Sequence, residues 1–199
     1  MTTYILNSGG IKDSKDQGRA FFRRVIDGLS SKPNILFCFF AQPREDWEEQ
    51  FPLYTSRFSA QLEQGVEPHF ELAFPVKFEQ QVKACDVVYI PGGDDHLVQY
   101  WLKQYNLPTL WEGKVVATSS AGSNAVAKQF WTCDWRQCME GLGVLPIKFL
   151  PHYQSNYGST DPRGPIDWEK AKKELAQYGD AALPIYALNE GDFKVFEIE

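Results

Sequence analysis

The segment Lys114–Ser123 reads KVVATSSAGS and decides the fold class. A run that favours a β-strand, Lys114–Thr118, leads straight into small residues, and Ser120–Lys128 then has the composition of a helix. A strand that turns sharply into a helix is typical of α/β proteins with a largely parallel sheet. Because this turn follows the carboxyl end of the strand, we expect it to border a ligand site.

Outward from this segment, apolar runs alternate with segments of helical periodicity. We predict further strands at Tyr4–Leu6, Ile35–Phe40, Phe70–Phe74, Val87–Ile90, Val144–Phe149, Ile185–Leu188 and Lys194–Ile198. We predict further helices at Phe21–Leu29, Arg44–Leu62, Leu97–Tyr105 and Asp167–Tyr178, the second of them interrupted at Pro52. Such alternation implies parallel strands joined by right-handed crossovers. The sequence therefore predicts a three-layer α/β sandwich with a mainly parallel sheet, formed by residues 1–199 as a single domain.

The composition excludes several classes of protein. The chain has 199 residues, of which 43% are hydrophobic and 15% aromatic, so disorder is excluded. A formal net charge of −6 argues against a nucleic-acid partner. The longest apolar run, Ile35–Ala41, is far shorter than the ~20 residues that span a bilayer. The four cysteines form no CxxC pair, and the first residues lack the basic region of a signal peptide. We therefore expect a soluble cytoplasmic protein, a monomer or homodimer, without a membrane or nucleic-acid partner.

Three turns rich in small residues follow predicted strands, namely Gly9-Gly10, Gly92-Gly93 and Ser119–Gly122. Parallel strands end at the same edge of a sheet, so these turns are expected to lie near one another. The third turn has the setting of a nucleophile elbow, in which a serine hydroxyl is raised above the sheet, but its match to G-x-S-x-G is imperfect because Thr118 stands where the first glycine would be. The backbone N–H of Ala121, with one from the second glycine pair, could stabilise a developing oxyanion.

The same turns also permit a simpler interpretation. Ser119 or Ser120 could cap the helix that follows, as serines often do. After the glycine pair, Asp94 or Asp95 could likewise cap a helix. Local sequence leaves both interpretations open.

A serine nucleophile needs a general base, and the chain has only three histidines. His69 precedes a predicted strand and is expected at the surface. His96 follows the second glycine pair and is a candidate substrate contact. His152 follows the strand predicted at Val144–Phe149, on the side of the sheet where Ser120 lies, and is therefore the best candidate base.

An imidazole base needs a carboxylate that fixes its tautomer and stabilises its charged form. Glu190 follows a predicted strand, and Asp134 follows the helix predicted after Ser120. Position alone leaves both acids as candidates.

Four blocks together resemble a known family in their order and spacing. They are Asp86–Asp94 (DVVYIPGGD), Thr118–Asn124 (TSSAGSN), Leu150–Tyr153 (LPHY) and Asn189–Gly191 (NEG). The family is that of the aspartyl dipeptidases (peptidase E), serine peptidases related to cyanophycinase. The resemblance implies a flavodoxin-like fold akin to class I glutamine amidotransferases, and it implies no metal or organic cofactor.

The resemblance also implies catalytic roles. Ser120 corresponds to the nucleophile and His152 to the base. Glu190 corresponds to the acid of the triad and Asp134 to an alternative acid; Glu190 is preferred because a carboxylate at a strand end beside His152 has the simpler geometry. The implied donors of the oxyanion hole are the N–H groups of Gly92, Gly93 and Ala121.

Three features depart from the family pattern. Asp94 stands where relatives usually have Asn, which would place a negative charge near the oxyanion. The arginine that holds the acidic side chain of the substrate in relatives belongs to a G-E-T-R stretch, and the loop Gly158–Arg163 offers Arg163 for this role. Glu190 lies nine residues before the end of the sequence, and fraying of that end would loosen the triad.

We therefore expect a serine peptidase of the dipeptidase E type that cleaves small peptides, including those with an N-terminal Asp, through an acyl-enzyme. The alternative is a non-catalytic small-molecule-binding or regulatory domain of the same fold. Asp94 and the short C-terminal end favour the alternative, whereas the retained Ser120, His152 and Glu190 oppose it.

Overall fold

The computed structural model describes residues 1–199 as two β-sheets flanked by helices. The strands are β1 (Thr2–Asn7), β2 (Asn34–Phe37), β3 (His69–Leu72), β4 (Val87–Ile90), β5 (Val115–Ser119), β6 (Ala127–Thr132), β7 (Gln137–Glu140), β8 (Leu145–Leu150), β9 (Ile185–Ala187) and β10 (Phe193–Ile198). The helices are α1 (Arg19–Ile26), α2 (Trp47–Ser59), α3 (Phe78–Ala84), α4 (Asp95–Leu102), α5 (Leu107–Leu110), α6 (Ala121–Val126) and α7 (Trp168–Gln177). The predicted three-layer α/β fold is confirmed. No helix has the length and apolar character that crossing a membrane requires.

The larger sheet brings the three small-residue turns to one edge. Its strand order is β10-β1-β5-β4-β2-β3, and every neighbouring pair is parallel except β1 and β10. Strands β1, β5 and β4 are therefore adjacent and end on the same side. All four residues of β4 are buried, as expected for a strand covered on both faces.

The second sheet was not predicted as a separate unit. Its strand order is β7-β6-β8-β9. The helix predicted over Ser120–Lys128 is wrong beyond Val126, because Ala127–Thr132 forms β6 instead. Phe130, Trp131 and Thr132 favour strands, and β6 pairs with β7 on one side and β8 on the other. These long-range pairs end α6 after six residues.

The predicted interruption at Pro52 is also wrong. Helix α2 runs through Pro52 from Trp47 to Ser59. Proline lacks the N–H that would bond to the carbonyl of Glu48, so the helix loses one hydrogen bond at this point. Burial of Trp47 and Phe58, at opposite ends of α2, holds the helix on the core.

Aromatic side chains fill the core beneath α1 and α2. The ring of Tyr89, in β4, lies 5.9 Å from Phe21, 6.2 Å from Phe22 and 6.3 Å from Phe58. Such tilted and edge-on contacts add to the stabilisation from burial itself. This aromatic cluster packs next to the carboxyl end of β4 and supports it.

The last strand is fixed along its whole length. Residues Phe193–Ile198 of β10 pair antiparallel with Asn7–Thr2 of β1. This six-residue ladder ties the end that follows Glu190 to the sheet.

A buried charge connects α7 to the second sheet. Lys148, in β8, is completely buried, and its ammonium donates hydrogen bonds to the carbonyl oxygens of Leu175, Ala176 and Tyr178 at 2.8, 3.1 and 2.6 Å. Carbonyls at the end of a helix have no partner within it, and the helix dipole favours a cation there. Lys148 thus supplies hydrogen-bond donors to the carbonyl groups at the end of α7.

We expect Lys148→Met to destabilise the protein by roughly 2–4 kcal/mol, because it leaves these carbonyls without a buried donor. The free energy of unfolding, measured by urea denaturation, checks this value. Lys170→Met is the matched control: Lys170 also lies on α7, but its side chain is 71% exposed beside Glu174, so a change below about 1 kcal/mol is expected. Equal losses in the two variants would contradict the role given to Lys148.

Candidate active site

The three turns and His152 line one cavity at the carboxyl edge of the larger sheet. Its volume is about 330 Å³. Gly9-Gly10 from the end of β1, Gly92-Gly93 after β4, and Ser119-Ser120 after β5 all contribute to its wall. The three turns therefore lie close together, as predicted.

Ser120 has the backbone conformation of a sharp strand-to-helix turn. Its φ is 48° and its ψ −113°, a sparsely populated region for a residue with a side chain. The N–H of Ser120 donates to the carbonyl of Asn7 at 3.0 Å, which fixes the turn against β1. A Cβ at Gly122 would overlap the carbonyl of Ile90, so this glycine permits α6 to pack against β4.

The side chain of Ser120 does not cap α6. Its Oγ instead lies 3.0 Å from Nε2 of His152. The capping interpretation is therefore wrong for Ser120, and the hydroxyl is placed beside an imidazole. The hydroxyl of Ser119 instead donates to Oδ1 of Asn7 at 3.4 Å.

His152 is held on several sides. Its Nδ1 lies 2.8 Å from Oε1 of Glu190, and its backbone N–H donates to Oγ of Ser8 at 2.6 Å. Its ring stacks on Tyr157 with centroids 4.2 Å apart. A Cβ at Gly9 would overlap the imidazole, so only glycine allows this close approach. Together these contacts leave the ring one orientation.

Hydrogen bonds between the end of β1 and the residues just before β10 position Glu190. The N–H of Gly191 donates to the carbonyl of Gly9 at 2.8 Å, and the N–H of Ser8 donates to the carbonyl of Asp192 at 3.0 Å. The amide of Asn7 donates to the carbonyl of Gly191 at 3.2 Å. Hydrogen bonds between the carboxyl end of β1 and the residues around Gly191 therefore place Glu190 beside His152.

Asp134 occupies a different place from Glu190. It lines the cavity, but its Oδ1 accepts a hydrogen bond from the hydroxyl of Tyr157 at 2.7 Å. No hydrogen bond joins it to His152. Asp134 therefore has no hydrogen bond to the imidazole and contacts it through the stacked ring of Tyr157, although its charge also acts to raise the pKa of His152.

Burial lowers the pKa of His152 below its usual range, and the hydrogen bond and charge of Glu190 oppose this shift. The ring is therefore neutral at neutral pH. Because a carboxylate can only accept, the single ring proton lies on Nδ1, which leaves Nε2 to accept the hydroxyl proton of Ser120.

Two backbone turns beside Ser120 offer N–H groups. Neither Gly92 nor Gly93 lies in a helix or strand, and neither N–H donates a hydrogen bond within the protein. Ala121 is the first residue of α6, a position whose N–H has no partner within a helix. A Cβ at Gly93 would overlap the carbonyl of Ala41, so this turn can adopt its conformation only with glycine.

The charge of Asp94 is directed into α4. Its Oδ1 accepts hydrogen bonds from the N–H groups of His96 and Leu97 at 2.7 and 2.8 Å. Asp94 thus caps the helix, and its negative charge is offset by the helix N-terminus. The expected interference with the oxyanion position is correspondingly reduced.

A buried hydrogen bond joins the two helices that begin at these turns. Asp95, at the start of α4 and 4% exposed, accepts from the amide of Asn124 in α6 at 2.9 Å. The N–H of Asn124 in turn donates to the carbonyl of Ser120 at 2.9 Å. Sequence reasoning assigned Asp95 only a possible capping role, because the partner lies on another helix.

Two residues proposed from the sequence as substrate contacts lie outside the cavity. The exposed His96 packs its ring against Trp135, with centroids 5.5 Å apart. The exposed Arg163 pairs with Asp161 and donates to the carbonyl of Asp134 at 2.8 Å. Neither side chain is directed toward Ser120.

Other lining residues were missed. Lys12 lies near the end of β1, while Tyr54 and Arg57 come from α2. Tyr54 and Arg57 are three residues apart and so share a face of that helix, which was the available signal. Their association with Ser120 depends on how α2 packs, which local sequence does not reveal.

Comparisons with known proteins show the family and the fold. The profile described as Peptidase family S51 matches residues 4–196. Among solved structures, a peptidase from an acI-B1 Actinobacterium is similar, with a TM-score of 0.63 and 20% identity over 98% of this chain and 83% of that chain. A protein assigned as a peptidase E from Listeria monocytogenes EGD-e has a TM-score of 0.63 and 15% identity over 100% of both chains. At these identities the two structures support the fold alone. No match was found among curated proteins.

The match to the family profile extends over nearly the whole sequence, and the fold and the serine turn agree with it. The chain therefore belongs to peptidase family S51 and is a serine peptidase.

Proposed function

We propose that Ser120, His152 and Glu190 form the catalytic triad of this peptidase and that it cleaves small peptides through an acyl-enzyme. The observation that carries the proposal is the pair of hydrogen bonds from Ser120 Oγ to His152 Nε2 and from His152 Nδ1 to Glu190 Oε1. A cavity of about 330 Å³ is at the small end of ligand sites and suits a short peptide.

In the first half-reaction, Ser120 Oγ attacks the carbonyl carbon of the scissile peptide bond while Nε2 of His152 takes the hydroxyl proton. The imidazolium that forms is stabilised by Glu190. The carbonyl oxygen becomes an oxyanion, for which the N–H groups of Ala121 and of the Gly92-Gly93 turn are the available donors.

Collapse of the tetrahedral intermediate breaks the C–N bond, and Nε2 returns its proton to the leaving amine. The acyl group then remains on Ser120. Water then attacks the acyl carbon while Nε2 of His152 takes a proton from it, and the same oxyanion donors stabilise the second intermediate. When that intermediate collapses, the bond between the acyl carbon and Oγ breaks, Nε2 returns the proton to Oγ of Ser120, and the acid product leaves.

The strain at Ser120 favours catalysis over the alternative of a non-catalytic binding domain. A side chain held at φ 48° and ψ −113° costs on the order of 1–3 kcal/mol. A binding turn or helix cap gains nothing from it, whereas a nucleophile needs its oxygen above the sheet edge. The proposed substrates include peptides with an N-terminal Asp. The cations that line the cavity are the candidate partners of its side-chain carboxylate.

A fluorophosphonate probe tests the nucleophile. We expect one covalent adduct on the wild-type protein, located at Ser120 by peptide mapping, and none on Ser120→Ala. Ser119→Ala is the matched control and should keep the adduct, because its Oγ lies toward Asn7 rather than His152. An adduct on Ser120→Ala, or none on the wild type, would refute the proposed nucleophile.

Conservative changes of the two acids distinguish their roles. Glu190→Gln should lower kcat by about 10⁴-fold, because a glutamine amide can donate to Nδ1 and so stabilise the wrong tautomer. Asp134→Asn should cost less than about 10-fold, because Asp134 makes no hydrogen bond to the imidazole and acts on it only by its charge and through the ring of Tyr157. The reverse order of losses would identify Asp134 as the acid of the triad.

The pH dependence of kcat/KM provides a second measurement on the same variants. Acylation needs neutral His152, and burial lowers its pKa, so activity should rise with pH below the usual range of histidine and be constant near neutrality. Since Glu190 raises this pKa, the rise should move to lower pH in Glu190→Gln. A rise that stays in place in this variant would show that Glu190 does not act on the base.

A further inference from the structure

Arg57 is a cation in the cavity wall without an acidic partner. It lies on α2, is half-buried, and lines the same cavity as Ser120 and His152. Five of the seven arginines pair with a carboxylate; Arg57 and the exposed Arg19 do not. A partly buried guanidinium that has given up water without gaining an acid is available for an anion from outside.

The guanidinium of Arg57 is also held in place. Its central carbon lies 5.2 Å from the ring centroid of Tyr54, which lines the cavity too. The charge of Arg57 lowers the pKa of Tyr54, against the larger raising effect of burial. A guanidinium stacked on an aromatic ring loses less rotational freedom when it binds a carboxylate.

The other charges near the cavity do not replace Arg57. Lys12 is exposed at the rim, and an ammonium on a flexible stem binds carboxylates with less geometric specificity. Asp134 lines the wall, but its Oδ1 already accepts from Tyr157. Arg163 lies outside the cavity and is paired with Asp161.

We propose that Arg57 is a specificity-determining residue of this site and binds a carboxylate of the peptide substrate. The inference rests on the proposed function for its site, and it assigns the recognition of acid to α2 rather than to the loop that contains Arg163. A planar guanidinium can bind a carboxylate through two parallel hydrogen bonds. The net charge of −6 gives no general attraction for anions, so such a preference has to come from a local cation.

Peptide binding to an uncleavable protein tests the assignment independently of turnover. In the Ser120→Ala background, the dipeptide Asp-Leu, its side-chain amide Asn-Leu and its C-terminal amide Asp-Leu-NH₂ are titrated by calorimetry. At least one amide should bind about 10- to 100-fold more weakly than Asp-Leu, and the affected amide identifies which carboxylate is bound. Equal affinity for all three peptides, or no binding of Asp-Leu, would overturn the proposal.

The arginine itself is then varied in the same background. Arg57→Met should remove the preference for the carboxylate. The Kd of Asp-Leu should rise about 10- to 100-fold, whereas the Kd of the more weakly bound amide should change by less than about 2-fold. Arg57→Lys should keep part of the preference, because it retains the charge without the two-pronged geometry. Arg163→Met is the matched control, an exposed arginine outside the cavity, and should keep the full preference.

A preference that survives in Arg57→Met, or that disappears in Lys12→Met instead, would refute the role of Arg57. Failure of the proposed catalytic function is a separate result. It would appear as carboxylate-dependent binding by Ser120→Ala together with a wild-type protein that neither cleaves Asp-Leu nor reacts with a fluorophosphonate.

Discussion

The hydrogen bond between Nδ1 of His152 and Glu190 determines what the rest of the site can do. A neutral imidazole has one proton, and the carboxylate holds it on Nδ1. Nε2 is then free to accept the proton of Ser120, 3.0 Å away. Without the acid, the ring could present either nitrogen to the serine, and the strained turn at Ser120 would have no dependable base.

That hydrogen bond depends on the order of strands in the larger sheet. Strand β1 lies between β5, which ends at the serine turn, and β10, which begins just after Glu190. The glycines after β1 complete the arrangement: a Cβ at Gly9 would overlap His152, and a Cβ at Gly10 would overlap Glu190. The pairing of the last strand with the first therefore does more than complete the sheet, because it brings Glu190 to His152.

Local sequence was sufficient where structure follows from nearest neighbours along the chain. Strand β4 follows from a short pattern, and a position after a predicted strand was enough to select His152 among the three histidines. Position alone left Glu190 and Asp134 both open, and the resemblance to the family was needed to prefer Glu190. Local sequence was insufficient where the structure depends on pairing between distant segments. At β6, pairing with β7 and β8 ends the preceding helix. Arg57 was missed for the same reason, since only the packing of α2 brings it to the cavity.

The tautomer of His152 is the most direct test of this account. Nitrogen-15 NMR of the imidazoles, with His152 assigned by substitution, reports which nitrogen carries the proton and how the ring titrates. The account predicts a neutral ring at neutral pH, with the proton on Nδ1 and Nε2 unprotonated, and a loss of this state in Glu190→Gln. A proton on Nε2, or a charged imidazolium at neutral pH, would contradict it.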